Sequence, residues 1–94
     1  MNKVVLIGRT TKSPELRYAP GTGTAVCRFT LAVNRPYKKD ETDFINCVVF
    51  GRSAEFAEKY FRKGLKITIE GRIQTRSYTN RDGQKVYTTE VVVE

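Results

Sequence analysis

From Leu65 to Tyr78 the chain alternates with a period of two. Leu65, Ile67, Ile69, Gly71 and Ile73 share one parity, and Lys66, Thr68, Glu70, Arg72, Gln74, Arg76 and Tyr78 share the other. Successive side chains of an extended strand point to opposite faces, so this pattern commits the segment to a half-buried strand and excludes an amphipathic helix. The same period returns in Cys27, Phe29, Leu31 and Val33 against Arg28, Thr30 and Asn34, and in Ile45, Cys47 and Val49 against Phe44, Asn46 and Phe50. Strands are predicted over about residues 2–9, 25–35, 43–50, 65–78 and 86–93, separated by the turn formers Pro20-Gly21-Thr22-Gly23 and Asn80-Arg81-Asp82-Gly83. The first strand is apolar on both parities (Val4 and Leu6, Val5 and Ile7), which predicts cover on two sides, from the core and from another subunit.

Only residues 53–64 break the period. Phe56, Ala57, Tyr60 and Phe61 fall on one face of a helix, which assigns Phe56, Tyr60 and Phe61 to the core together with Phe29. Ser53 is the expected N-cap, and Gly64 the expected left-handed residue past the C-terminus. The order is β-β-β-α-β-β. Ninety-four residues supply one core, so residues 1–94 are predicted to form one domain. An all-β, five-stranded Greek-key barrel with one α-helix between strands 3 and 4 is the oligonucleotide/oligosaccharide-binding (OB) topology. An SH3-like barrel or a small α+β sheet competes with it on strand order alone.

The residue inventory narrows the chemistry. The chain has no histidine, which removes Ser-His-Asp and Cys-His catalysis and His-ligated zinc, and its two cysteines are too few for a Cys-only zinc site. Both cysteines have inward parity and read as small core residues. Asp40, Glu41 and Asp43 form an acidic cluster that suggests Mg²⁺ chemistry, but no nucleophile or base converges with it, and a solvated acidic loop is the favoured reading. Neither a cofactor nor a metal is expected, nor is an enzyme. The net charge of +7 suits a polyanionic partner. The N-terminal apolar run is too short for a signal peptide or a membrane span, which gives a cytoplasmic expectation.

The outward parities carry the functional signal. An inward Asn46 would need a buried partner, so the even face of its strand is read towards solvent, and Phe44 and Phe50 go with it. Arg28, Arg72, Gln74, Arg76 and Tyr78 are outward by the same logic, and Tyr37 stands in a loop after Asn34-Arg35-Pro36. Cations interleaved with flat rings suit single-stranded nucleic acid. Phosphates are neutralised by Arg and Lys, and every base offers a π-face to an aromatic ring whatever its sequence. The bland reading of an outward aromatic is a cross-strand packing pair or a subunit contact. Tyr18 and Tyr87 have no assigned side.

NKVVLIGR at 2–9, PELRY at 14–18, DFINCVVFG at 43–51, RKG at 62–64, IEGRIQTRSY at 69–78 and YTTEVVV at 87–93 resemble the bacterial single-stranded DNA-binding protein family, in the same order and over nearly the whole chain. The resemblance implies an OB fold, a homotetramer built as a dimer of dimers, and sequence-tolerant binding of single strands in DNA replication, recombination and repair, in the bacterial cytoplasm and at the nucleoid. The family's stacking positions resemble Tyr37, Phe44, Phe50 and Tyr78, and its basic contacts resemble Arg17, Arg52, Lys63 and Arg76. Arg28, Asn46, Arg72, Gln74 and Lys85 join them from parity and turn position. Three departures stand out: no tryptophan, a short KKDETD segment after Tyr37, and a sequence that stops at Glu94. The family's acidic, partner-recruiting tip is therefore not expected to act here, and a tailless adaptor that binds single strands weakly stays open as an alternative.

Overall fold

A computed structural model describes residues 1–94, leaving out the side chain of Lys39. It is mostly strand with one helix: β1 (Val4–Thr10), β2 (Glu15–Tyr18), β3 (Ala25–Arg35), β4 (Lys38–Phe50), α1 (Arg52–Tyr60), β5 (Lys66–Thr79) and β6 (Lys85–Val93). Two long antiparallel hairpins form its body. In the first, β3 pairs with β4 from Val26↔Phe50 to Asn34↔Thr42; in the second, β5 pairs with β6 from Gly71↔Val93 to Thr79↔Lys85. β1 runs antiparallel to β5, from Val4↔Gly71 to Arg9↔Lys66. Two brief contacts close the pairing into a ring: parallel β4–β6 at Cys47↔Val91 and Val48↔Val92, and antiparallel β1–β3 at Arg9↔Ala32 and Thr10↔Leu31.

The sheet differs from the sequence reading in two places. β2, which adds to the edge of β3, was not expected, because four residues are too few to display a period. The acidic segment after Tyr37 lies inside β4 instead of in a loop. Between Asn34↔Thr42 and Arg35↔Lys38 the register shifts, a bulge that absorbs the extra residues. The Arg35 guanidinium holds this tip, donating to Glu41 at 2.8 Å and to Asp43 at 2.9 Å.

Close strand approach fixes Gly8, against the Ala32 carbonyl, and Gly71. A Cβ at Gly71 would run into the backbone carbonyl of Val92, so only glycine lets β5 and β6 pass at this point. At the far hairpin end, the Asn80 side-chain oxygen accepts from the Asp82 and Gln84 amides at 3.0 and 2.9 Å, the Asx geometry expected of the Asn-Arg-Asp-Gly turn.

The core gathers Cys27, Phe29, Leu31, Cys47, Val49, Ile69 and Val91, and of the inward residues predicted for the second and third strands only Val33 and Ile45 are partly buried, packed against it. The helix corrects the prediction. Its buried residues are Ala54 and Ala57, and Phe61, just past its end, meets the Phe29 ring edge-on at 5.5 Å. Phe56 and Tyr60 are 57% and 55% exposed and lean on each other at 4.6 Å, so they are not core residues. The small alanines let α1 lie close to β3 and β4, and the large rings one step round the helix are left outside. Ser53 makes no capping bond: the helix begins after Gly51 and ends at Tyr60. Gly64 does take the left-handed conformation (φ 83), but in the turn to β5, where its amide donates to the Thr10 carbonyl at 2.8 Å. Leu65 and Ile73, expected inside, are 40% and 47% exposed, because Leu65 lies just before β5 and Ile73 just beyond its buried residues Ile69 and Gly71. No helix is long and apolar enough to cross a membrane.

Candidate nucleic-acid interface

The outward parities of five strands meet on one surface. Across it the register sets Arg17 beside Val26 and Val26 beside Phe50; Glu15 beside Arg28 and Arg28 beside Val48; Thr30 beside Asn46; and Ala32 beside Phe44. The second hairpin contributes Arg72 beside Val92, Gln74 beside Glu90, Arg76 beside Thr88 and Tyr78 beside Val86. The parallel contact of Val48 with Val92 joins the two halves. Phe44, Phe50 and Tyr78 are 67%, 44% and 57% exposed, and Tyr37, at the tip of the β3–β4 hairpin, is 97% exposed. An aromatic ring costs solvation when left in water, so three on one side of a sheet mark a surface meant to be covered.

Polar groups between the rings are partly committed to one another. The Thr30 hydroxyl donates to the Asn46 side-chain oxygen at 3.3 Å, which leaves the Asn46 amide hydrogens for a ligand. Arg72 donates to the Gln74 side-chain oxygen at 2.9 Å, and Arg17 to Glu15 at 2.6 Å. Arg76 stands 3.1 Å from Glu90. Arg28 is exposed, with no hydrogen bond or ion pair among the described residues, at the side of a cleft of about 340 Å³ that Lys12, Asn46, Arg76, Thr88 and Glu90 also line.

The structure therefore brings Arg17, Arg28, Asn46, Arg72, Gln74, Arg76, Phe44, Phe50 and Tyr78 onto one face. Arg52 is exposed two residues beyond Phe50, at the start of α1, and Lys63 is exposed in the turn between α1 and β5. Lys85 departs from its expected place. It pairs with Thr79 and shares a parity with Tyr87, so it stands on the reverse of the β5–β6 hairpin, where its ammonium lies 5.6 Å from the Tyr87 ring. Three buried residues on the outward parity escaped the sequence reading. Val48 is fully buried although its neighbours Phe44, Asn46 and Phe50 are exposed, and Val92 and Glu90 are buried too, Glu90 only 8% exposed. The one available signal was Glu90 itself, a carboxylate set between Thr89 and an apolar Val91-Val92-Val93 run.

Arg35 pairs with two members of the acidic cluster, Glu41 and Asp43. Arg35 holds the Asp43 carboxyl below the usual carboxylate range by hydrogen bonding and by its charge. Among the described residues, no group of three His, Cys, Asp or Glu is gathered to hold a metal ion.

The closed sheet presents rings and cations together on one face, and comparison with known proteins gives the chain a family. The sequence profile of the family described as "Single-strand binding protein family" matches residues 1–94, and the chain belongs to that family. It is 61% identical over 94 residues to a single-stranded DNA-binding protein of Clostridium perfringens, covering all of this chain and 63% of that one. It is 58% identical over 97 residues to single-stranded DNA-binding protein 3 of Clostridium acetobutylicum, covering 67% of it, and 53% identical over 98 residues to single-stranded DNA-binding protein 3 of Listeria innocua, covering 61%. The chain thus spans about two thirds of the length of these relatives.

Proposed function

We propose that the chain binds single-stranded DNA with tolerance for sequence, by stacking bases on Tyr37, Phe44, Phe50 and Tyr78 and neutralising phosphates with the arginines between them. The observation that carries this reading is the sheet face on which Phe44, Phe50 and Tyr78 stand exposed beside Arg28, Asn46 and Arg72, in a chain that its family matches from end to end. Base–aromatic stacking is worth about 1–3 kcal/mol per base, so four platforms account for a useful affinity without any base being read. Arg17, Arg52, Lys63, Gln74 and Arg76 line the path of the strand in this scheme, and Lys85 serves only a strand that turns round the hairpin edge. The activity is binding without catalysis, and the fold is an OB barrel in one domain over residues 1–94: its pairing ring runs β1–β5–β6–β4–β3–β1, with the helix between β4 and β5. In the cell this is a cytoplasmic, nucleoid-associated role in replication, recombination and repair.

A homotetramer, built as a dimer of dimers, is the assembly proposed. Val5 and Ile7 are 61% and 56% exposed on β1, next to the ion pair of Lys3 with Glu70, and an apolar strip of this kind on a strand calls for a second copy. Light scattering with and without long poly-dT tests assembly and binding together. A tetramer that takes up poly-dT but not duplex of equal length supports the proposal. Equal binding of duplex and single strand refutes it.

A further inference from the structure

Glu90 is the anomaly of the face. It lies on the outward parity of β6, opposite Gln74, yet it is buried, and its Oε1 has no hydrogen-bond donor. The nearest cation is Arg76, whose Nη2 is 3.1 Å from that oxygen but not aligned to donate to it. Removing the partner of a buried charge leaves it uncompensated, which is strongly unfavourable. Arg76 itself is half exposed at the edge of the cleft and within reach of a phosphate. Any phosphate that draws Arg76 away must therefore strip Glu90 of its one counter-charge, and it must do so next to a second anion.

We infer that Glu90 is a built-in competitor for Arg76, which keeps this arginine from neutralising DNA phosphate and so limits affinity and hastens release at the centre of the face. The inference rests on the single-strand reading above. It separates two arginines that the sequence treats alike. Arg28, free of in-chain partners among the described residues, contributes a whole charge to a bound strand. Arg76, tied to Glu90, contributes little. The cleft between them then holds one effective cation and one masked one, an arrangement suited to a surface that must let go as readily as it binds.

The test is a salt series of oligo-dT titrations, with dissociation rates, on wild type, Glu90→Gln, Arg76→Gln and the double variant. Glu90→Gln keeps the side-chain shape and frees Arg76, so binding at low salt should tighten roughly tenfold. The slope of log affinity against log salt should steepen by about 0.7, one additional phosphate contact, and dissociation should slow. In the Arg76→Gln background the same change should leave the slope alone. Weakened or unchanged binding by Glu90→Gln overturns the inference, because Glu90 then orients Arg76 or is irrelevant to it. Steepening that persists without Arg76 also overturns it, since Glu90 would then repel phosphate directly. Should Glu90→Gln fail to fold, Glu90→Asp, which withdraws the carboxylate from Arg76, is read the same way with a smaller effect. A wild-type protein that does not bind oligo-dT condemns the single-strand reading, a result distinct from all of these.

Discussion

Truncating Phe44 to alanine separates a ligand platform from a packing residue more cleanly than any other change on the face. The ring is 67% exposed, so about a third of it is covered on folding. For a side chain that offers roughly 200 Å² of buriable surface, this third is on the order of 65 Å². At about 25 cal/mol per Å² its loss costs at most about 1.6 kcal/mol of stability, an upper value because the unfolded chain already hides some of the same surface. A lost stacking platform costs about 1–3 kcal/mol of binding, a roughly 5- to 150-fold rise in Kd for oligo-dT. The two quantities are read separately, by urea denaturation and by fluorescence titration of folded protein. A variant that loses 3 kcal/mol or more of stability, while its folded fraction binds with wild-type affinity, would show that Phe44 packs and does not stack.

Three further outcomes follow from particular contacts. Arg28→Ala should reduce the salt slope of binding by about 0.7, as expected of a free cation that meets one phosphate; an unchanged slope removes it from the path of the strand. Gly71→Ala drives a methyl group into the Val92 carbonyl, and since neither backbone can retreat without parting β5 from β6, stability should fall by about 1–3 kcal/mol or more; an unshifted urea midpoint contradicts this. Burial pushes the Cys47 thiol up to about 12 and raises Cys27 as well, so the folded protein holds these protons more tightly than the unfolded chain does. Stability is then intact below the ordinary thiol range and declines as pH rises from about 9 towards about 12. Cys47→Ala should flatten that decline in pH-dependent denaturation, and equal slopes for the two proteins would exclude the thiol as its source.

What the sequence could tell depended on whether a residue's fate was decided by parity alone. Cys27, Phe29, Leu31, Cys47 and Val49 are inside because alternate residues of a central strand have nowhere else to go, and Phe44, Phe50 and Tyr78 are outside for the converse reason. Parity says nothing of where a strand leaves the core, so Ile73 and Leu65 read as buried and are not. Nor does it show when a second strand arrives from far along the chain. Val48 is buried on the outward side where β6 pairs with β4 in parallel, and Glu90 is drawn under the surface two residues before Val92 in that same pairing. The helix failed differently. Counting apolar residues weighted Phe56 and Tyr60 above Ala54, whereas close approach to the sheet selects the small side chain.

The β3–β4 hairpin meets the rest of the sheet, the β5–β6 hairpin with β1 along its side, through seams only two residues long, Cys47–Val48 against Val91–Val92 on one flank and Leu31–Ala32 against Arg9–Thr10 of β1 on the other. The two parts are stiff leaves joined by narrow hinges, and backbone amides at those hinges should exchange with solvent sooner than those along either leaf. A polymer laid from Phe44 and Arg28 on one leaf to Arg72 and Tyr78 on the other acts as a staple across them. Occupancy should therefore slow exchange most at the hinges, one of which lies at Ala32, directly opposite the Phe44 ring.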